Sequence, residues 1–172
     1  MPGIEGFFDK ATSTASFLVW DPVTRDAAII DAVLDFDAAT GKLGTGSADA
    51  VLARADALGL KVIWALETHA HADHLSAANH IRKLTDARIG IGARITEVQT
   101  QFRAMFGAPE AETEGAVFDR LFADGDTFRI GAVQARVMHT PGHTPACVTY
   151  VIEGAAFVGD TLFMPDYGTA RA

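Results

Sequence analysis

A seven-residue stretch, THAHADH, begins at Thr68 directly after an apolar run and constrains this chain more than any other feature. Because side chains two positions apart on an extended segment point the same way, His69 and His71 can converge on one ion. Asp73 and His74 then turn toward a neighbouring position. Neutral imidazole is the commonest metal ligand in proteins. The stretch therefore predicts a site for one metal ion or two, and not a polar loop that faces solvent.

Two later stretches place further ligand types at the ends of predicted strands. His143 follows a strand predicted over 133–138, and a Pro-Gly pair forces a sharp loop that holds the imidazole away from the sheet. Asp160 follows an apolar strand predicted over 155–158. Two imidazoles and one carboxylate form a facial arrangement known for nonhaem ferrous iron. The sequence predicts that four side chains lie around a common point, those of His69, His71, His143 and Asp160.

Three other potential ligands are assigned to structural roles. His80 lies in a predicted helix with no acidic or histidine partner four residues later, so it is expected at the surface or in packing. His139 lies inside a strand end and is expected to be structural. Cys147 lies in a strand of alternating character and is expected to pack as a small hydrophobic residue, not to serve as a thiolate ligand.

The composition limits what can surround these residues. With 172 residues, 49% hydrophobic content and a mean hydropathy of +0.16, the chain suits one packed domain over 1–172 and is too short for two. A single cysteine excludes an internal disulfide framework and fits a reducing compartment. The net charge of -8 argues against nucleic acid as a partner, because phosphate backbones are held by Lys and Arg.

The sequence gives weaker evidence about the cellular location and the oligomeric state of the protein. No apolar run approaches the roughly 20 residues of a membrane-spanning helix, and the N-terminus has no basic region followed by an apolar core. We therefore expect a cytoplasmic protein with no membrane partner. The sequence leaves the oligomeric state open, with a homodimer as the default expectation.

The first half of the chain is predicted to alternate strands and helices. Strands over 16–20 and 27–31 are expected to pair as a hairpin, and residues 35–47 to form an exposed polar loop. Ser47 is expected to cap a helix over 48–58 that a glycine then stops.

The remaining predicted elements are strands over 61–66, 88–91, 127–130, 133–138, 146–152 and 155–158, and helices over 76–84 and 95–106. The helix over 95–106 has apolar residues at helical spacing, which we expect to be core: Val98, Phe102, Met105 and Phe106.

The segments THAHADH, HTPGHTP and GDTLF, in this order, resemble the metallo-β-lactamase fold. The resemblance runs from about Ser16 to the end of the chain and implies an α/β (α+β) fold, an αβ/βα sandwich of two similar halves. Within that superfamily, FVGDTLFMPDYGTAR and ETHAHADHLSAA resemble the persulfide dioxygenases, in particular a bacterial branch often labelled β-lactamase-like hydrolases.

This resemblance implies a specific chemistry. One ferrous iron would be carried by His69, His143 and Asp160, and the enzyme would use dioxygen to oxidise glutathione persulfide to sulfite in sulfide detoxification. The stretch His71, Asp73 and His74 matches metal-binding positions of the zinc hydrolases of the fold, including glyoxalase II. The alternatives are therefore a binuclear zinc hydrolase of glutathione thioesters, with Asp160 bridging two zinc ions, or an inactive fragment.

The sequence departs from the resemblance in two places. It ends at Ala172, whereas relatives continue with further strands, helices and a histidine, so we expect the C-terminal part of the fold, with its substrate-binding residues, to be missing. Such a chain is expected to leave apolar sheet surface uncovered and to associate or be poorly soluble. Ala32 stands where relatives commonly have proline, which loosens a turn without removing a ligand.

Overall fold

The apolar strands of this chain need cover on both faces, and they receive it from helices on one side and a second sheet on the other. The computed structural model describes residues 1–163 and 167–168. Part of the segment FVGDTLFMPDYGTAR lies outside these residues. The α/β sandwich expected from the resemblance is confirmed by this arrangement.

In chain order the strands are β1 (Gly3–Asp9), β2 (Thr14–Trp20), β3 (Asp26–Ile30), β4 (Val33–Asp37), β5 (Lys42–Gly44), β6 (Lys61–Leu66), β7 (Leu75–Ser76), β8 (Arg88–Gly92), β9 (Arg120–Phe122), β10 (Thr127–Ile130), β11 (Val133–His139), β12 (Val148–Ile152) and β13 (Ala155–Phe157). The helices are α1 (Gly46–Ala57), α2 (Ala78–Thr85) and α3 (Ile95–Met105), and a 3-10 turn covers Gly159–Thr161. No helix among these is long and apolar enough to span a membrane.

The main sheet has the spatial order β1-β2-β3-β6-β8-β9. Its first three strands pair antiparallel, and β3, β6, β8 and β9 pair parallel. The second sheet, β10-β11-β12-β13, is antiparallel throughout, and a small third sheet has the order β5-β4-β7. The parallel strands matter for function, because their carboxyl ends lie at one edge of the main sheet.

Two hydrophobic clusters hold the layers together. Helices α1 and α2 bury residues such as Val51 and Ile81 against the outer face of the main sheet. Between the sheets, Leu66 and Phe122 from the main sheet pack against residues such as Val137 and Tyr150 of the second sheet. Tyr150 is fully buried, and its hydroxyl donates a hydrogen bond to the backbone carbonyl of Glu67 at 2.9 Å. This bond ties β12 to the start of the histidine stretch.

The predicted loop over 35–47 is wrong in part, because β4 and β5 form a hairpin within it. Helix α1 also begins at Gly46, earlier than predicted, and Ser47 is not its cap. Instead, the Ser47 backbone N–H donates to the carboxylate of Asp35 at 3.2 Å. The hairpin brings Asp35 to the helix start, so a residue 12 positions earlier satisfies a free N–H group. The predicted stop is confirmed, since Gly59 adopts φ of 64°.

Helix α2 begins at Ala78, two residues after the predicted start at 76. Leu75 and Ser76 instead pair with β4 as the short strand β7. The Ser76 hydroxyl accepts the backbone N–H of Ala78 at 3.0 Å, so this serine stands before the helix and supports its first turn.

The prediction that α3 buries four apolar side chains is wrong for three of them. Val98 is buried, but Phe102, Met105 and Phe106 are 41%, 64% and 73% exposed. Only the first half of the helix has a surface to pack on, where Ile95 and Val98 join a small cluster. Helical spacing therefore identified an apolar stripe correctly but could not show that only its first half packs on the described part of the fold.

The outer face of the second sheet carries charged as well as apolar side chains. Arg136 and Met138 of β11 are exposed, so they lie on the outer face of this sheet. Val151 pairs with Arg136, and Ala156 pairs with Val151, so these two residues lie on the same face. The edge strand β10 adds Thr127 and Arg129, which are exposed. Charged and apolar side chains are thus mixed over the described part of this face.

Replacing Tyr150 with phenylalanine should destabilise the fold without changing its packing. The variant leaves the buried Glu67 carbonyl without its hydrogen bond, which costs about 1–2 kcal/mol. Thermal unfolding followed by circular dichroism should show a lower midpoint, by about 2–4 °C for each kcal/mol in a chain of this size. The matched control is Tyr167→Phe, since Tyr167 is 65% exposed. Equal midpoints for the two variants would contradict the bond's role.

Candidate metal centre

The predicted site residues meet at one edge of the molecule. Strand β6 ends at Leu66, and the histidine stretch follows directly. Strand β3 ends beside it, where the Asp31 backbone N–H donates to the Leu66 carbonyl at 2.9 Å. The second sheet joins there too, because the Val148 N–H donates to the Thr68 carbonyl at 2.9 Å. His143 lies in the β11–β12 loop and Asp160 in the turn after β13.

A first group brings together His69, His143 and Asp160. One potential ligand atom from each lies within 4.8 Å of the others. The His69 and His143 ring centroids are 4.9 Å apart, and the Asp160 Oδ2 lies 3.9 Å from His69 Nε2 and 3.5 Å from His143 Nε2. Three separate connections of the fold thus converge on one point, as two imidazoles and one carboxylate.

A second group, His71, Asp73 and His74, lies beside the first and meets the same 4.8 Å limit. The His71 ring centroid is 4.0 Å from that of His69 and 4.1 Å from that of His74, so His71 stands between the groups. Asp73 Oδ2 is 3.4 Å from His74 Nδ1. The structure therefore brings all six predicted site residues to one place and divides them into two neighbouring sets of three.

Two buried carboxylates behind the loop were missed by the sequence reasoning as site residues. His71 Nε2 lies 3.2 Å from Asp31 Oδ1 and 3.3 Å from Glu67 Oε2. Glu67 also accepts the Ser76 hydroxyl through its other oxygen. A signal was present, since both acids directly end apolar strands, and buried acids are rare unless they are paired.

These carboxylates control the charge of His71. Burial alone would lower the pKa of His71, but hydrogen bonds and attraction from Asp31 and Glu67 outweigh it and raise the pKa to about 10. Burial raises the pKa of Glu67, whereas the His71 contact and backbone bonding outweigh burial at Asp31 and lower its pKa. In the metal-free protein His71 is therefore a cation that both carboxylates hold through Nε2.

Hydrogen bonding fixes which nitrogen of His69 faces the site. The Thr68 hydroxyl donates its proton to Asp31 Oδ2 at 2.8 Å, so at 2.9 Å it accepts the Nδ1–H of His69. Burial and the neighbouring His71 lower the pKa of His69 to about 4. The ring is neutral at pH 7 and turns an Nε2 lone pair into the site.

Hydrogen bonding also determines which ring nitrogen of His74 faces the site. The Thr14 hydroxyl lies 3.2 Å from Asp73 Oδ2, to which it can donate, and 3.2 Å from His74 Nδ1, from which it accepts. Within the described residues, the Nε2 atoms of His69 and His74 are buried and have no hydrogen-bond partner. Buried polar atoms without partners are rare in proteins. A metal ion fits both, because ligating histidines hold their other nitrogen by a hydrogen bond in this way.

The histidines and the cysteine assigned to structural roles lie apart from both groups. His139 Nε2 contacts the Pro145 carbonyl at 2.8 Å, and its backbone N–H donates to Asp124. His80 contacts the Asp49 carboxylate at 2.7 Å on the surface. Cys147 is buried, as expected for a packed thiol. None of these side chains takes part in the metal-ligand groups found among the described residues.

Replacing His69 with alanine should remove metal from the purified protein. The change deletes a buried nitrogen lone pair of the first group, so metal content measured by inductively coupled plasma mass spectrometry should fall more than about tenfold, beyond the effect of a supporting residue. His80→Ala is the matched control, because it removes an imidazole that lies outside both groups. Unchanged metal in His69→Ala would exclude His69 as a ligand.

Comparison with known proteins gives relatives of two functional kinds. The chain is 52% identical to a protein of Burkholderia pseudomallei described as a probable metallo-hydrolase, over 98% of this chain and 61% of that protein. It is 43% identical to Glyoxylase B2 of Dictyostelium discoideum, over 98% of this chain and 59% of the relative. It is 31% identical to the human mitochondrial persulfide dioxygenase ETHE1, over 94% of this chain and 53% of the human protein.

A solved structure agrees with these matches. The crystal structure of ETHE1 from Myxococcus xanthus superposes with a TM-score of 0.75 at 25% identity, over 98% of this chain and 64% of that one. The chain thus spans about half to three fifths of the length of the curated relatives it matches here, and it is shorter than they are.

The sequence profile of the Metallo-beta-lactamase superfamily matches residues 9–172, nearly the whole chain. The match includes the histidine stretch, the β11–β12 loop and the turn that carries Asp160. The chain therefore belongs to the metallo-beta-lactamase superfamily.

Proposed function

We propose that this protein is a persulfide dioxygenase that holds one ferrous iron on His69, His143 and Asp160. The observation that carries the proposal is the convergence of two imidazoles and one carboxylate within 4.8 Å. This donor set is typical of nonhaem ferrous iron, where three protein ligands on one face leave positions for substrates. The likeness to the persulfide dioxygenases of human and Myxococcus xanthus supports the same assignment.

The environment of His71 supports one metal in preference to two. Its Nε2 is committed to Asp31 and Glu67, and its raised pKa means that the ring must lose a proton before Nδ1 can bind a metal. His69, by contrast, is already neutral, with Nε2 directed into the first group. Metal binding by the first group therefore does not require His71 to lose its proton.

A cavity of about 560 Å³ lies beside both groups, with His71, Asp73, His143 and Asp160 in its lining, and could hold the substrate. Its polar wall includes Thr12 and Thr14 at the β1–β2 turn, and its apolar wall includes Phe17, Phe157 and Leu162. This size falls within the range of about 300–1,000 Å³ for small-molecule sites. We propose that it holds glutathione persulfide, with the sulfur end toward His143 and Asp160.

The protein's own part in the reaction is to bind and orient. Bound iron would supply the oxygen chemistry that converts the persulfide, dioxygen and one water molecule to sulfite and glutathione. Asp160 would neutralise part of the metal charge, and Thr68 would hold His69 in the tautomer that the site needs. The apolar wall formed by Phe17 and Phe157 would limit the access of water to the persulfide.

A second candidate function is a two-zinc hydrolase of glutathione thioesters. The observation that favours it is the second group, in which His71, Asp73 and His74 also lie within 4.8 Å. The buried Nε2 of His74 has no partner among the described residues, which is consistent with a second ion. The 43% identity to Glyoxylase B2 supports this alternative at the level of family.

Two variants separate these functions. In the dioxygenase, Asp160→Ala removes the anionic ligand, so oxygen uptake with glutathione persulfide should fall by orders of magnitude. Asp73→Ala changes only a neighbouring side chain, so the same rate should fall about 10- to 100-fold. Oxygen uptake is measured with an oxygen electrode on protein purified without added metal, alongside its iron and zinc content.

The opposite pattern would replace the proposal with the hydrolase. That pattern is two zinc ions per chain, cleavage of S-lactoylglutathione, no oxygen uptake, and equal losses from Asp73→Ala and Asp160→Ala. His80→Ala serves as the control in both assays, because it keeps every member of the two groups.

A further inference from the structure

A second crevice shares no lining residue with the cavity beside the metal centre. Its volume is about 450 Å³, and residues of β6, β8, β9 and β10 line it. Arg88 and Arg120 are the first residues of β8 and β9, which run parallel to β6. The crevice is lined by Ile63 and Trp64 of β6, and His69 follows Trp64 by about five residues at about 3.3 Å per residue. The crevice and the metal centre are therefore separate sites.

Three aromatic rings form one wall of this crevice. The Trp64 centroid lies 5.8 Å from that of Phe122 and 5.5 Å from that of Phe128, and the two phenylalanine centroids are 4.9 Å apart. The Trp64 indole N–H donates to the Arg129 carbonyl at 3.1 Å, which fixes its ring. The wall is thus rigid and apolar, with no free donor on the indole.

Two guanidinium groups stand over this wall. The Arg88 Cζ lies 4.7 Å from the Trp64 centroid, and the Arg120 Cζ lies 5.6 Å from the Phe122 centroid. Because Arg120 pairs with Gly90, and Gly90 shares a face with Arg88, both arginines project to the same side of the sheet. Their positive charges are therefore close neighbours on adjacent strands.

Little negative charge balances these arginines. Arg120 pairs with Asp126 at 3.1 Å. Arg88 has no carboxylate or hydrogen-bond partner in the part of the chain that the structure describes, and its guanidinium lies over the Trp64 ring. The chain as a whole carries a net charge of -8, so a crevice with excess positive charge is unusual in it. Such a crevice attracts anions.

We propose that this crevice binds a phosphorylated aromatic molecule of nucleotide size. The phosphates would bridge Arg88 and Arg120, because a planar guanidinium matches phosphate geometry with paired hydrogen bonds. The aromatic ring would lie against Phe128, which is half-buried, in the way that bases stack on aromatic side chains, while the buried Phe122 supports Phe128 from behind. The volume exceeds what a phosphate group alone would fill and lies in the range of small-molecule sites. The site is independent of the function proposed for the metal centre.

Isothermal titration calorimetry of the purified protein with three probes tests this site. ADP carries both parts, pyrophosphate only the phosphates, and adenosine only the ring system, so ADP should bind more tightly than either. Arg88→Gln should weaken ADP binding about tenfold or more, because it removes a charge-assisted contact. Arg120→Gln, measured in parallel, tests the same effect on the neighbouring strand. Thermal midpoints show whether each variant is folded and whether ADP still stabilises it.

Two control variants locate the binding. Arg136→Gln removes an exposed arginine from the outer face of β11, outside the crevice, and should leave ADP binding unchanged. Asp160→Ala alters the metal centre and should also leave it unchanged. The proposal is overturned if ADP gives no binding at about millimolar concentration, if pyrophosphate binds as tightly as ADP, or if either control weakens ADP binding as much as Arg88→Gln. Any of those results would mean that the two arginines pack on the aromatic rings without binding a ligand.

Discussion

The carboxylate of Asp31 is the contact on which the metal-binding edge depends. It accepts the backbone N–H of Thr68 at 2.7 Å and the Thr68 hydroxyl at 2.8 Å, and it faces His71 Nε2 at 3.2 Å. Asp31 is only 4% exposed and adopts a left-handed backbone conformation with φ of 53°. A buried charge is tolerated only when it is paired, so the strand end, the threonine and the histidine hold one another in place. Through Thr68 this network also sets the tautomer of His69.

The sequence predicted correctly those features that local residue patterns decide. Strand β6 covers Lys61–Leu66 and strand β10 covers Thr127–Ile130, both as predicted. It was less informative where long-range contacts decide. Asp31 and Glu67 were not identified as site residues because their shared partner, His71, depends on how β3 and β6 pair. The exposed Phe106 shows the same limit, since helical spacing gives a face but not the surface beneath it.

The two ligand groups lie side by side but differ in the protonation of their histidines. His69 presents a neutral ring, while His71 carries a proton that Asp31 and Glu67 stabilise. His74 is supported by Thr14 of the β1–β2 turn, so the second group also depends on that turn. The two groups together offer ligands for one metal ion or for two.

The central claim is that one metal lies on the first group while His71 stays bound to its carboxylates. Anomalous diffraction from crystals of the metal-loaded protein, collected on either side of the iron and zinc absorption edges, tests it most directly. The account predicts a single iron peak in contact with His69, His143 and Asp160, with His71 Nε2 still facing Asp31. Two peaks, the second in contact with Asp73 and His74, would contradict it.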